Sequence, residues 1–239
     1  MTTAPATVEQ YLLPRQVAAP PGPVDARMMY VMHFAFRRDL QMFADAALAT
    51  PVEDHDAWEA LARRWALFGS NLHHHHAGED AGLWPLLLEY AAPGERQVLD
   101  DMEAEHALID PILASCATGF DHVLAGDDAA RATLARDLAP ARDCLAEHLR
   151  HEETTAMALV QKYLTQQQWD DMAEEHFGKR QSFRELLATL PWVAHEMPRA
   201  ELDGLVVQAG RPFGLLLRLT RPRFERVQAR ATRHLTPAR

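Results

Sequence analysis

From Asp25 the chain repeats apolar residues at helical spacing, "DARMMYVMHFAFRRDLQMFADAALA", with Asp25 placed to cap the first turn. Thr50-Pro51-Val52-Glu53 reads as the next start. Thr50 would cap, Pro51 would take the first helical position, where a missing N–H costs nothing, and Glu53 would reach back. A second helix then extends to about Tyr90. Pro93-Gly94 breaks the pattern, a third helix runs to about Ala125, and "AGDDA" precedes a fourth that ends near Leu164. Pro111 and Pro140 are expected to bend the last two.

No stretch alternates like a strand, so the expected class is all-α, an up-and-down antiparallel four-helix bundle with a C-terminal helical extension. Three segments follow: a flexible N-terminal arm over 1–24 containing "AAPPGPV", the bundle over 25–164, and a helical appendage with a basic tail over 165–239. The appendage opens on the capping-box pattern "TQQQ" at Thr165 and is expected to break around "LPWVAHEMP".

Composition narrows this picture. With 48% hydrophobic residues in 239, a sizeable core can be buried. Cys116 and Cys144 lack paired spacing, so they read as packing residues and point to a reducing, cytoplasmic setting. No leader-like start and no run of uncharged apolar residues long enough to span a bilayer is seen, so no transmembrane segment is expected. A net charge of -10 argues against nucleic-acid binding. From Arg211 onward, however, eight arginines face only Glu225. That tail is expected to dock on the acidic body of its own chain or on another subunit, with peripheral contact to an anionic membrane as the alternative. His176 and His195, each beside an acid, read as surface residues.

Self-comparison of the chain supplies the candidate chemistry. His75 and Glu79 lie four apart, as do His148 and Glu152, and the pairs are offset by 73 residues; His33 and His106 share that offset. Leu72/Leu145 and Leu40/Leu113 fall in the same register. One helical hairpin is therefore repeated as the next, and an approximate two-fold would bring two copies of {His, His-x3-Glu} face to face. The four-residue spacing puts each His and Glu on one side of its helix. Four imidazoles and two carboxylates, from His33, His75, Glu79, His106, His148 and Glu152, thus converge as expected metal ligands. Buried carboxylates without partners would be costly otherwise.

Imidazole and carboxylate without thiolate suit iron, manganese or zinc, with iron or manganese favoured where two carboxylates can bridge two ions. In the tract "HHHH", successive helical residues point about 100° apart, so one stripe cannot present all four to one centre. The repeat selects His75. His74 and His76 become supporting or surface residues, with His76 and Asp80 a solvated pair, and His73 points outward. Tyr30, Arg37, His74, Glu103 and Asp110 are expected around the ligands: Tyr30/Glu103 and Arg37/Asp110 are repeat equivalents one turn from a motif histidine. Glu103-x-x-His106 also matches ferritin-like di-metal proteins, but that fold needs a second such motif and two further glutamates, which are not found.

Taken together, His33, "HHHHAGEDAGLWP", His106 and "HLRHEE" resemble the haemerythrin-like (HHE cation-binding) family over roughly Asp25 to Leu164, in the order H-HxxxE-H-HxxxE of its bacterial, non-carrier branch. The resemblance implies a four-helix bundle holding two Fe ions, with Mn or Zn less favoured, and an oxo or hydroxo bridge. Oxygen-carrying members have a second histidine one turn away in the third helix, giving five. Here Met102 and Asp110 stand at those places. With one ligand fewer, the implied ligands are hydrogen peroxide, dioxygen or nitric oxide, bound for oxidative or nitrosative stress chemistry in place of reversible carriage. An iron-sensing or storage role that controls a partner, and a di-iron oxygenase acting on an organic substrate, are the alternatives.

Overall fold

The structure is a computed structural model that describes residues 6–178 and 182–236. It is all-α, as expected: no strand occurs among the described residues, only a single antiparallel bridge between Val8 and Gly22. The helices are α1 (Arg27–Ala49), α2 (His55–Gly78), α3 (Trp84–Tyr90), α4 (Arg96–Leu124), α5 (Asp128–His151), α6 (Met157–Tyr163), α7 (Gln166–Ala173), α8 (Phe183–Val193), α9 (Arg199–Ala209) and α10 (Arg211–Ala231). Three π-helical turns, Glu79–Leu83, Glu152–Ala156 and Glu174–Gly178, join α2 to α3, α5 to α6 and follow α7. By length and composition α4 is long and apolar enough to cross a membrane, at a mean hydropathy of 1.2.

The start of α2 differs from expectation. Thr50 is buried with its hydroxyl unpartnered, and Asp54 caps instead, accepting from the Ala57 N–H at 3.2 Å. Asp54 stands next to the first helical residue, where its short side chain can reach the orphan N–H groups. The Thr165 box forms as written, its side chain and that of Gln168 exchanging hydrogen bonds with each other's backbone N–H. Pro111, Pro140 and Pro191 all lie inside helices, and the break expected around "LPWVAHEMP" falls in its second half, between Val193 and Arg199.

Two compact units alternate along the chain. The first comprises 1–34, 72–108 and 146–181. Its core gathers Val24, Tyr30, Leu83, Trp84, Leu87, Met102, Met157, Val160, Trp169 and Met172. The described part of the N-terminal arm is tied to this unit and is not loose. Gln10 bonds both the Val24 carbonyl and the Ala26 N–H, the Val17 N–H donates to Glu153, and the Val24 N–H donates to Gln161. Its prolines and glycine leave the backbone non-helical, and these side chains satisfy it. Residues 1–5 of the arm lie outside the described residues. The helical appendage is divided as well, since α7 belongs to the first unit and α8 to α10 to the second.

The second unit comprises 35–71, 109–145 and 182–239. Phe43, Trp65 and Phe120 pack with ring centroids 5.1 to 5.8 Å apart. Asp39 is buried in the same unit, receiving Arg64 at 2.7 Å, Arg38 at 2.7 Å and the Trp192 indole N–H at 2.8 Å. Burial alone would raise the Asp39 pKa, but Arg38, Arg64 and the indole outweigh it and hold the carboxyl below its usual value. The basic segment packs within this unit: Arg64 lies over the Phe224 ring at 4.4 Å, and Arg233 and His234 both reach Asp54. Cys116 is buried, which pushes its thiol up to about 12.

Candidate metal centre

All six ligand-type residues singled out by the repeat fall in the first unit. His33, His75, Glu79 and Glu152 form one group, and His106 and His148 belong to a second with His76; within each group the candidate ligand atoms lie within 4.8 Å of one another. Every one of these side chains is at most 3% exposed. The Nε2 atoms face inward in matched pairs, His33 to His75 at 3.1 Å and His106 to His148 at 3.2 Å. These pairs are repeat equivalents. The expected approximate two-fold is thus visible in the geometry.

Glu79 belongs to both sides. One oxygen lies 3.1 Å from His75 Nε2 and the other 3.6 Å from His106 Nε2, while Glu152 approaches His33 Nε2 at 3.2 Å. No oxygen of Glu79 or Glu152 has an aligned hydrogen bond, although both side chains are fully buried. Four buried, unsatisfied carboxylate oxygens, three of them within 3.6 Å of an imidazole nitrogen, are what a cation would satisfy. The residues therefore fit a metal.

The electrostatics agree. Burial, then the neighbouring Glu152 and Asp80, raises the Glu79 pKa far above its ordinary value. Glu152 is equally buried, yet His33, His75 and His148 outweigh that cost and depress it. Burial likewise pushes His75 and His148 down, favouring the neutral imidazole that binds metals. His33 resists its own burial because Glu152 and Glu153 raise it to about 9.

Both motif glutamates open a π-helical turn, and the two turns are themselves 73 residues apart. Pro85, at the start of α3, lacks an N–H and interrupts the normal ladder after the first. Within the second, Thr154 and Thr155 bond back to the Arg150 and His151 carbonyls. Such widened turns commonly mark functional sites.

His76 departs from expectation. It is buried, its ring stacks on His106 at 3.9 Å, and it completes the second group. Asp80, expected to pair with it, instead bonds His106 Nδ1 at 2.8 Å. The angle of about 100° between successive residues does bar His75 and His76 from one group, but it lets them serve two. Repeat symmetry hid this, because the counterpart of His76 is Leu149. The two groups accordingly offer five imidazoles, one more than the repeat alone selects.

Carboxylates behind the imidazoles were also missed. His33 Nδ1 meets Glu153 at 3.0 Å, and His148 Nδ1 meets Glu105 at 2.8 Å, which in turn holds His151. Asp80 and Glu153 are repeat equivalents, so the 73-residue comparison carried their signal; Glu105 had none. Of the expected neighbours, Tyr30 is buried with its ring 6.4 Å from His33 and its hydroxyl without a hydrogen-bond partner. Glu103 is exposed, Met102 filling the buried position instead. His74 is half-buried and His73 exposed, and neither belongs to the two groups. Arg37 and Asp110 lie in the second unit, the first buried and the second exposed. His176 and His195 are half-buried and not surface residues: His176 lies against Gly82, and His195 against Phe224.

A helical bundle with buried His/carboxylate groups of this kind defines a metal-binding helical protein. In a comparison with protein-family models, the Hemerythrin HHE cation binding domain matches residues 24–160, more than half of the chain, and the chain belongs to that family. Neither the curated proteins nor the solved structures yield a match.

Proposed function

We propose that this chain is a non-haem di-iron protein that binds and reacts with hydrogen peroxide, dioxygen or nitric oxide. Glu79 carries the reading, because its two oxygens face histidines of different groups, the disposition of a bridging carboxylate. Glu152 would bridge beside it, with His33 and His75 on one ion and His76, His106 and His148 on the other. Iron would supply one-electron redox chemistry and positions for a small ligand.

The chain's own contribution is orientation and exclusion. Glu153, Asp80 and Glu105 take the Nδ1 side of His33, His106 and His148, which aims each Nε2 inward. The near-complete burial of the ligand set keeps bulk water out. The spacing of Cys116 and Cys144, which forms no CxxC or paired pattern, supports a reducing, cytoplasmic setting, and the contacts of Arg233 and His234 with Asp54 support internal docking of the basic tail.

Metal content per chain, measured with an optical titration by peroxide, azide and nitric oxide, tests the proposal. About two irons and a ferric band that changes on addition are expected. A colourless protein that stays inert after iron loading overturns it.

A further inference from the structure

We infer that His176 and Phe177 form a cap that controls small-ligand access to the His75 side of the centre; the inference rests on the metal reading above. The cap lies beyond the family match at 24–160. It is built from the π-helical turn Glu174–Gly178 within the first unit.

The turn bearing Glu79 is shaped to receive it. Gly78 and Gly82 flank Glu79 on the two sides. A Cβ on Gly78 would stand 2.5 Å from the Phe177 ring, and one on Gly82 would stand 2.5 Å from the His176 ring. Two absent side chains therefore make two adjoining slots, and each is filled by one of two consecutive residues. In the slot Phe177 sits with its ring 6.3 Å from that of His75. Phe177 also packs on the core of this unit, the cluster that includes Trp84 and Trp169.

The other half of the repeat lacks the slots. Gly78 and Gly82 correspond to His151 and Thr155. There the half-exposed pair Glu105 and His151 stands behind His148, with 30% and 25% of the side chains accessible. One side of the centre is thus closed by apolar and aromatic groups, and the other carries polar groups that reach solvent. Phe177 is a specificity-determining residue: it holds the His75 side to ligands of a few atoms.

The test uses full-length Phe177→Ala, Phe177→Leu and Gly78→Ala, with Gly69→Ala as a control because nothing lies within 4 Å of a Cβ there. Two readouts are taken. Acylation of His75 by diethyl pyrocarbonate in metal-free protein, read by peptide mass, reports access without depending on iron. Stopped-flow azide association with iron-loaded protein reports access to the centre. In Phe177→Ala and Gly78→Ala both rates are expected to rise by about tenfold, Phe177→Leu restoring most of the closure. Wild-type rates in folded Phe177→Ala or Gly78→Ala overturn the cap. Wild-type protein that takes up no iron overturns the metal reading alone, since the His75 acylation rates still decide the cap.

Discussion

Asp80 and Glu153 occupy the same position of the two halves, yet each supports the other half's histidine: Asp80 accepts from His106 Nδ1 and Glu153 from His33 Nδ1. The crossing ties the helix carrying one histidine to the turn carrying the other half's glutamate. Asp80→Ala and Glu153→Gln should each weaken metal binding by about 10- to 100-fold, the usual cost of losing such a partner. Competition against a chelator of known affinity measures this, with helix content by circular dichroism as the control. Unchanged affinity in both would show that the imidazoles hold their orientation without the carboxylates.

His76 makes the two candidate groups unequal, giving three imidazoles to one and two to the other. His76→Leu installs the side-chain type of its counterpart Leu149 and should leave one metal position weakly held, so the metal retained after gel filtration falls from about two per chain toward one. His73→Ala and His74→Ala should retain the wild-type content. Equal retention in all three variants would remove His76 from the ligand set.

The convergence of the six candidate residues was legible because a symmetric constraint writes itself twice, as matching residue types at one offset. Asp80 and Glu153 share that offset as well, but a carboxylate next to a motif glutamate looks like solvated helix surface, so their contacts with His106 and His33 were not legible. His76, Glu105 and the Gly78/Gly82 slots break the symmetry, and no comparison of one half with the other can find them. The helical class and the bundle's breaks followed from periodicity and Pro-Gly pairs. The start of α2 did not, because Thr50 and Asp54 offer competing caps only four residues apart, and tertiary burial of Thr50 decided between them.

Tyr30 keeps a hydroxyl fully buried with no partner among the described residues, against the edge of His33. Its burial, with Glu152 and Glu153 nearby, pushes the phenol pKa upward, so the group stays neutral and can only donate or accept. Tyr30→Phe in metal-free protein should therefore leave stability unchanged or raise it by about 1 kcal/mol, because an unsatisfied buried hydroxyl is costly. Urea denaturation followed by circular dichroism checks this. A loss of more than about 1 kcal/mol would mean that the hydroxyl is hydrogen-bonded in solution.

Asp39 should give the second unit a dependence on acid. Its carboxyl is fully buried, and its folded pKa lies below the unfolded value because Arg38, Arg64 and the Trp192 N–H favour the charged form over the opposing cost of burial. The folded state thus binds its proton less readily than the unfolded chain. The stabilisation is complete above an unfolded pKa of about 4 and is lost as pH falls through the lower folded value. Asp39→Asn removes the charge at every pH and leaves Arg64 buried without its counter-ion, a change that typically costs about 3 to 5 kcal/mol. Thermal unfolding monitored by tryptophan fluorescence in a Trp84→Phe/Trp169→Phe background, which leaves Trp58, Trp65 and Trp192 of this unit as reporters, should show a midpoint that drops in the variant at neutral pH. The gap between variant and wild type should narrow as the wild-type carboxylate is titrated in acid. A gap that stays constant through that range would mean that Asp39 contributes shape and hydrogen bonding to this core, and not charge.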